Sequence, residues 1–273
     1  MPATHREKAE TFRELHQAKG TFVIPNPWDV GTARILTQLG FKALATTSAG
    51  YAYTIGRKDG AITRDGALAH ARDIVAATDL PVSADLENCF GDEPETVAAT
   101  LRMAAATGLA GGSVEDTTGD PRNPIYDFSH AVERVAAAVE AVRSRPVPFT
   151  LTARAENFLH GRPDLDDTIR RLQAFEAAGA DVLYAPGLRD METVRAVMSA
   201  VTKPVNVISL PGLTVAELAA AGVRRISLGS ALSRAALGAL VKAAREIQTS
   251  GTFGFMKDAL PYADANNYMA DLD

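Results

Sequence analysis

Leu80-Pro81-Val82-Ser83-Ala84-Asp85-Leu86-Glu87-Asn88 is a short apolar run that ends in acids. Residues 81–87 read as a buried strand, and Cys89-Phe90-Gly91-Asp92-Glu93-Pro94 reads as the loop behind it. Alternate residues of a strand share a face, so this reading sets Asp85 beside Glu87. Two carboxylates on an apolar strand are costly to bury unless a cation or hydrogen-bond donors meet them. Their own residues leave two readings open. One is a solvated strand end; the other is a pair of ligands for a hard divalent ion, which takes one or two carboxylates and keeps waters for a substrate.

The same grammar extends in both directions. Apolar runs at 22–27, 42–48, 81–87, 109–115, 149–156, 181–187, 204–210 and 224–230 read as strands, each followed by a helical pattern. Asp92 and Glu95 resemble a capping box around Pro94, ahead of the stripe Val97, Leu101, Ala105. Phe128, Val132, Val135, Val139 and Val142 keep helical spacing, as do Leu165, Ile169, Leu172 and Phe175. Thr214 with Glu217 opens a seventh helix, and 231–248 reads as the last. Eight strand–helix units without a linker predict an α/β fold, a (β/α)₈ TIM barrel over a single domain 1–273. A doubly wound open sheet is the alternative, but it calls for a glycine-rich phosphate turn after an early strand, and there is none.

Composition narrows the function classes. The 273 residues are 47% hydrophobic and 22% charged, with net charge -5. That balance favours neither nucleic acid nor an anionic membrane surface. No apolar run is long enough to span a bilayer, and residues 1–20 have no signal-peptide core. Cys89 is the single cysteine, so the expected compartment is a reducing cytoplasm and the cysteine reads as a packing residue.

Two segments exceed a minimal barrel. Residues 49–62 read as a long polar loop with Tyr51, Gly56, Lys58 and Asp59, suited to a lid. Residues 251–273 carry Phe253, Phe255, Met256, Leu260, Tyr262 and Met269, which need a surface to cover: a partner subunit or the parent barrel.

Barrels of this class build their sites at the carboxyl ends of the strands. Those ends hold Trp28 and Asp29, Ser48, Asp85 and Glu87, Glu115 and Asp116, Arg154 and Glu156, Asn206, and Ser230. Three acids and one arginine on adjacent strands are balanced by a divalent metal with an anionic substrate, and this now outweighs the solvated reading. The fork of Arg154 suits a carboxylate or a developing oxyanion, or else a pairing with Glu156. Asn206 also reads as a group that satisfies buried backbone, and His160 as a structural or exposed loop residue.

Thr47-Ser48-Ala49-Gly50, Lys58-Asp59-Gly60, Ser83-Ala84-Asp85-Leu86-Glu87, Val114-Glu115-Asp116 and Thr152-Ala153-Arg154-Ala155-Glu156 resemble the motifs of the isocitrate lyase/phosphoenolpyruvate mutase superfamily, over about residues 22–240. The resemblance implies a barrel whose eighth helix is exchanged between subunits, giving homodimers or homotetramers through residues 231–273. It implies Mg²⁺, with Mn²⁺ as the alternative, and a small 2-oxo acid as substrate. Asp85 would bind the metal, with Glu87 and Glu115 acting directly or through water. Ser48, Ala49 and Gly50 would hold the substrate carboxylate beside Trp28, Glu156 and Asn206, and Arg154 would steady the enolate oxygen while Asp59 rides the gating loop. The Cys-Gly-His acid motif of the isocitrate and methylisocitrate lyases is missing: the loop reads Thr117-Thr118-Gly119-Asp120-Pro121-Arg122-Asn123-Pro124-Ile125-Tyr126. Asn123 or Thr118 would serve there in a phosphonate-type member. The expected function is a Mg²⁺-dependent carbon–carbon lyase of the oxaloacetate decarboxylase kind. Carbon–phosphorus chemistry, methylisocitrate-type cleavage, and 2-oxo-acid binding with little catalysis are the alternatives.

Overall fold

The computed structural model describes residues 2–270. Eight parallel strands run in the order β1-β8-β7-β6-β5-β4-β3-β2. They are β1 (Phe22–Ile24), β2 (Leu44–Ala45), β3 (Val82–Ala84), β4 (Gly111–Glu115), β5 (Thr150–Arg154), β6 (Val182–Tyr184), β7 (Val205–Ile208) and β8 (Arg225–Ser227). The Ala45 N–H donates to the Pro25 carbonyl at 3.0 Å and joins the two ends of the sheet. The result is the (β/α)₈ barrel, and the open-sheet alternative is excluded.

The helices alternate with the strands: α1 (His5–Gln17), α2 (Val30–Gln38), α3 (Ser48–Thr54), α4 (Arg64–Ala76), α5 (Pro94–Ala105), α6 (Phe128–Arg143), α7 (Leu165–Ala177), α8 (Met191–Ala200), α9 (Val215–Ala220), α10 (Ala231–Ser250) and α11 (Tyr262–Met269). Leu44, Leu86, Leu101, Leu151, Leu172 and Leu183 are fully buried between strands and helices. Phe12 of α1 closes the amino-terminal mouth, packed with Phe22, Ile24 and Ala110. The closeness of that plug and of β5 explains Gly111. A Cβ on Gly111 would stand 2.5 Å from the Thr150 carbonyl and 2.8 Å from the Phe12 ring.

Three local readings are corrected. Residues 49–62 are not loop throughout, because Thr47 caps α3 by accepting from the Gly50 N–H, and the loop begins only after Thr54. The capping box at Asp92 and Glu95 does not form; Glu93 is the cap residue, and Asp92 accepts from the Tyr126 hydroxyl at 2.5 Å. β3 ends at Ala84, three residues short of Glu87.

The carboxyl-terminal helices leave the pattern. Of α10 only Ser233 is buried. α11 returns to α2, where Arg34 donates to the Met269 carbonyl at 2.6 Å and Gln38 to the Tyr268 carbonyl at 3.1 Å. Phe253, Met256 and Tyr262 stay exposed and no residue of α11 is buried, so the parent barrel touches α11 without covering the tail. Among the described residues, no helix is long and apolar enough to cross a membrane.

Candidate active site

Arg154, the last residue of β5, organises the carboxyl-terminal mouth. Its Nη1 donates to Asp85 Oδ1 at 3.0 Å, its Nη2 meets Glu115 Oε2 at 3.0 Å, and its Nε donates to Glu156 Oε1 at 2.7 Å. The register of β4 with β5 sets Glu115 directly beside Arg154, and the register of β5 with β6 brings Tyr184 alongside. The Tyr184 ring backs the guanidinium at 5.2 Å. Burial opposes the arginine's charge, but Glu115, Glu156 and Asp85 together hold its pKa well above the ordinary value.

Asp85 and Glu87 reach this mouth by a different route from the one a strand would provide. Asp85 is the first residue beyond β3; its N–H donates to Thr46 Oγ1 at 2.9 Å, and its Oδ2 accepts from the Ser48 N–H at 3.1 Å. The chain then turns, with Glu87, Cys89 and Phe90 at φ of 51°, 62° and 62°. Left-handed conformations in non-glycine residues cost energy and persist where surrounding structure imposes them. Here Arg134 of α6 imposes them, donating to the carbonyls of Asn88, Gly91 and Asp92.

Glu156 is held from behind. Its N–H donates to Asp116 Oδ1 at 2.8 Å, and Asp116 Oδ2 accepts from Arg171 Nη1 at 3.0 Å. Its other oxygen, Oε2, is buried without a hydrogen-bond partner, as is Glu87 Oε1. Burial raises Glu115 well above the usual carboxylate range and raises Glu156 as well, with Arg154 opposing both. Burial, then Asp85 and Asp59, push Glu87 up to about 7.

Two cavities meet at these groups. One, of about 350 Å³, is lined by Asp85, Glu87, Glu115, Arg154, Glu156 and His160, with Ser48, Asp59 and Thr117 among the rest. The other, of about 470 Å³, descends into the barrel past Ser48, Ala49, Asp85 and Arg154 to Asn206 and Arg225. Asp59 lines both cavities, and its Oδ1 accepts from Ser48 Oγ at 3.2 Å.

Among the described residues, no three His, Cys, Asp or Glu side chains form a metal cage by themselves. Mg²⁺ does not require one, since it takes one or two carboxylates and keeps waters. Three carboxylates meet one guanidinium with Glu87 beside them, so acids outnumber the cation, and Glu87 and Glu156 each keep a buried oxygen without a donor. Asp85, Glu87 and Glu115 therefore fit a hard divalent cation, Mg²⁺ or Mn²⁺.

The remaining sequence candidates divide. Asn206 lines the deeper cavity, but its amide is engaged by Ser227 and Arg225. Trp28 and Gly50 stand behind the wall, lining neither cavity: a Cβ on Gly50 would meet Thr47 Cγ2 at 2.5 Å and Trp28 Cβ at 3.0 Å. Asn123 is exposed in the turn closed by the Thr117–Ile125 bridge and lines neither cavity, whereas Thr117 and Gly119 do reach the wall. Cys89 is fully buried, its Sγ 3.9 Å from the Ser113 carbonyl, and burial pushes its thiol up. That is the packing role read from sequence. His160 is nearer the chemistry than its loop position suggested, with Nε2 4.0 Å from Glu156 Oε2. Sequence reading missed Tyr184, Arg134, Arg171 and Arg225; Arg134 was detectable as a cation interrupting the buried face of Ala131, Val135 and Ala138.

A parallel barrel with acids and an arginine gathered at its strand ends defines a barrel-enzyme site. The family model described as phosphoenolpyruvate phosphomutase matches residues 12–248. The chain belongs to the isocitrate lyase/phosphoenolpyruvate mutase superfamily, a family of lyases and mutases. A lyase/mutase-class protein of Burkholderia cenocepacia J2315, its own activity not established, is 58% identical, with TM-score 0.96 and 98% of each chain covered. An uncharacterized protein of Mycobacterium tuberculosis is 30% identical over 96% of this chain and 97% of its own. An oxaloacetate decarboxylase of Bradyrhizobium diazoefficiens is 30% identical over 73% and 70%.

Proposed function

We propose that the protein is a Mg²⁺-dependent carbon–carbon lyase that cleaves a small 2-oxo dicarboxylic acid through an enolate, in the manner of an oxaloacetate decarboxylase. The observation that carries this reading is the convergence of Asp85, Glu115 and Glu156 on the guanidinium of Arg154, where the two cavities meet. Asp85, Glu87 and Glu115 would hold the metal, which supplies Lewis-acid polarisation of the 2-oxo group and its neighbouring carboxylate. Ser48 lines the same cavity, and its hydroxyl, released from Asp59, would orient that carboxylate.

When the bond between C3 and the departing carboxylate breaks, its electron pair forms the C2–C3 double bond and the carbonyl pair moves onto the 2-oxo oxygen. Carbon dioxide departs, and the enolate carbon then takes up a proton from solvent to give the product 2-oxo acid. Arg154 is held in place before the charge develops, and such preorganised donors are the main source of oxyanion stabilisation. Decarboxylation needs no acid on the departing fragment. That agrees with a 117–126 loop without cysteine, lysine or histidine, and with a Cys89 sealed in the core. The sequence relationship to an oxaloacetate decarboxylase supports the same reading.

The exposed face of α10 supports assembly with a second copy through residues 231–273. Incubation with Mg²⁺ and oxaloacetate, methylisocitrate, isocitrate or phosphonopyruvate, followed by assay of carbonyl products, tests the activity. Pyruvate released from oxaloacetate above the metal-only rate is the expected result. Turnover confined to phosphonopyruvate would move the reading to carbon–phosphorus chemistry. Ligand-induced stabilisation without turnover would leave a binding protein.

A further inference from the structure

Arg225 opens β8 and points into the barrel, 6% exposed. All three of its nitrogens are engaged, and every acceptor is uncharged. Nε donates to Asn206 Oδ1 at 2.8 Å and Nη2 to Thr152 Oγ1 at 3.1 Å, while Nη1 lies 3.4 Å from His16 Nε2. His16 Nδ1 lies 2.7 Å from the Phe12 carbonyl, so the ring's proton is committed there and Nε2 presents its lone pair to Arg225. Among the described residues no carboxylate pairs with Arg225. Burial lowers its pKa, and the charged side chain that acts on it, the cation Arg154, lowers it further.

The other buried arginines differ. Arg154 meets three carboxylates, Arg171 meets Asp116 and Asp167, and Arg134 meets three backbone carbonyls of one loop. A buried cation is ordinarily matched by an anion or by a full set of strong acceptors. Arg225 is also the one of these that lines the floor of the 470 Å³ cavity, beside Asn206, Ser227 and Asn26. Its partner Thr152 lies two residues before Arg154 on the same face of β5, one pleat repeat deeper, or about 6.6 Å. The cavity thus carries Arg154 near its rim, the exposed Arg234 on its wall and, at its floor, a buried guanidinium without a counter-ion.

We propose that Arg225 binds the far carboxylate of the substrate, so that a short diacid lies along the cavity with its 2-oxo end at Asp85 and Arg154. This deepens the functional reading above and rests on it, committing the site to 2-oxo diacids over monoacids. Asn206, with its carbonyl turned to Arg225 and its amide donating to Ser227, is a positioning residue for that guanidinium.

The test is titration calorimetry of the full chain in Mg²⁺ with oxalate, which fills only the near end, and with oxaloacetate under conditions of slow turnover. In Arg225→Gln, oxaloacetate affinity is expected to fall at least tenfold while oxalate affinity stays within twofold. Arg225→Lys, which keeps the charge but not the fork, falls between, and it carries the test if the glutamine variant does not fold. Unchanged oxaloacetate affinity in either variant, or equal weakening of both ligands, overturns the subsite. Wild-type protein that binds neither ligand overturns the functional reading itself, and the subsite with it.

Discussion

Arg134 Nη2 donates to the carbonyl of Asn88 at 2.5 Å, and the same guanidinium reaches the carbonyls of Gly91 and Asp92. One side chain of α6 therefore holds the segment that aims Glu87 at the cavity. Arg134→Met removes donors from three carbonyls of this loop at once. Each buried group left unsatisfied costs about 1–3 kcal/mol. The expected outcome is a loss of about 3 kcal/mol or more in urea unfolding. A Mg²⁺ requirement that rises along with it would show that the loop serves the site as well as the fold.

Two buried groups give opposite pH dependences in metal-free protein. Burial, reinforced by Arg225, lowers the His16 pKa from 6.5 to about 3. Between those values the unfolded chain holds the proton and the folded one does not, so stability present above pH 6.5 is lost as pH falls toward 3. Glu87 is raised from 4.5 to about 7, chiefly by burial, so stability is lost as pH rises through that window. Urea midpoints in the presence of chelator check both signs. His16→Gln should flatten the acid limb. Glu87→Gln should exceed wild type at pH 8 by on the order of 1–3 kcal/mol and match it near pH 4.5.

Much of this was legible before any coordinates. The eight apolar runs gave the barrel, because β-α alternation without a break has few other solutions. Arg154, Asp85, Glu115 and Glu156 were legible because strand ends are where such barrels place their chemistry. Strand periodicity brings Glu87 to the mouth, but β3 ends at Ala84 and a turn held from α6 is what places it there. Asn123 lies in a loop whose path no periodicity fixes, and a turn pinned by Thr118 Oγ1, which donates to the Asn123 carbonyl at 2.5 Å, keeps it outward. Arg225 opens β8 next to a second arginine, and Tyr184 sits inside the apolar run 181–187, so neither carried a signal of its own. Only the register across β5 to β8 reveals that they face the cavity.

Arg154 separates binding from chemistry. Arg154→Lys keeps a charge but cannot meet three carboxylates in one plane. A fall in kcat of at least about 100-fold is expected, the scale of losing one preorganised oxyanion donor. Asp85→Asn should instead abolish the Mg²⁺-dependent rise in melting temperature produced by 2-oxo acids. A lysine variant with wild-type kcat would remove Arg154 from the mechanism, and an Asp85 variant that retains the shift would remove Asp85 from the metal.

The last prediction concerns α10. Leu237, Leu240, Val241 and Ile247 form one stripe at helical spacing, and they are 40%, 64%, 47% and 42% exposed. In an amphipathic helix such a stripe is the face that seeks a partner. The first turn of the same helix brings Arg234 to the wall of the deeper cavity, so whatever covers the stripe also steadies one edge of the site. A second copy of this chain is the expected cover. Sedimentation equilibrium should then give at least twice the 28.9 kDa chain mass. Leu240→Glu combined with Val241→Glu should shift the particle toward that single-chain mass and lower the melting temperature. Wild-type protein that sediments as a monomer at micromolar concentration would show that the stripe has another use.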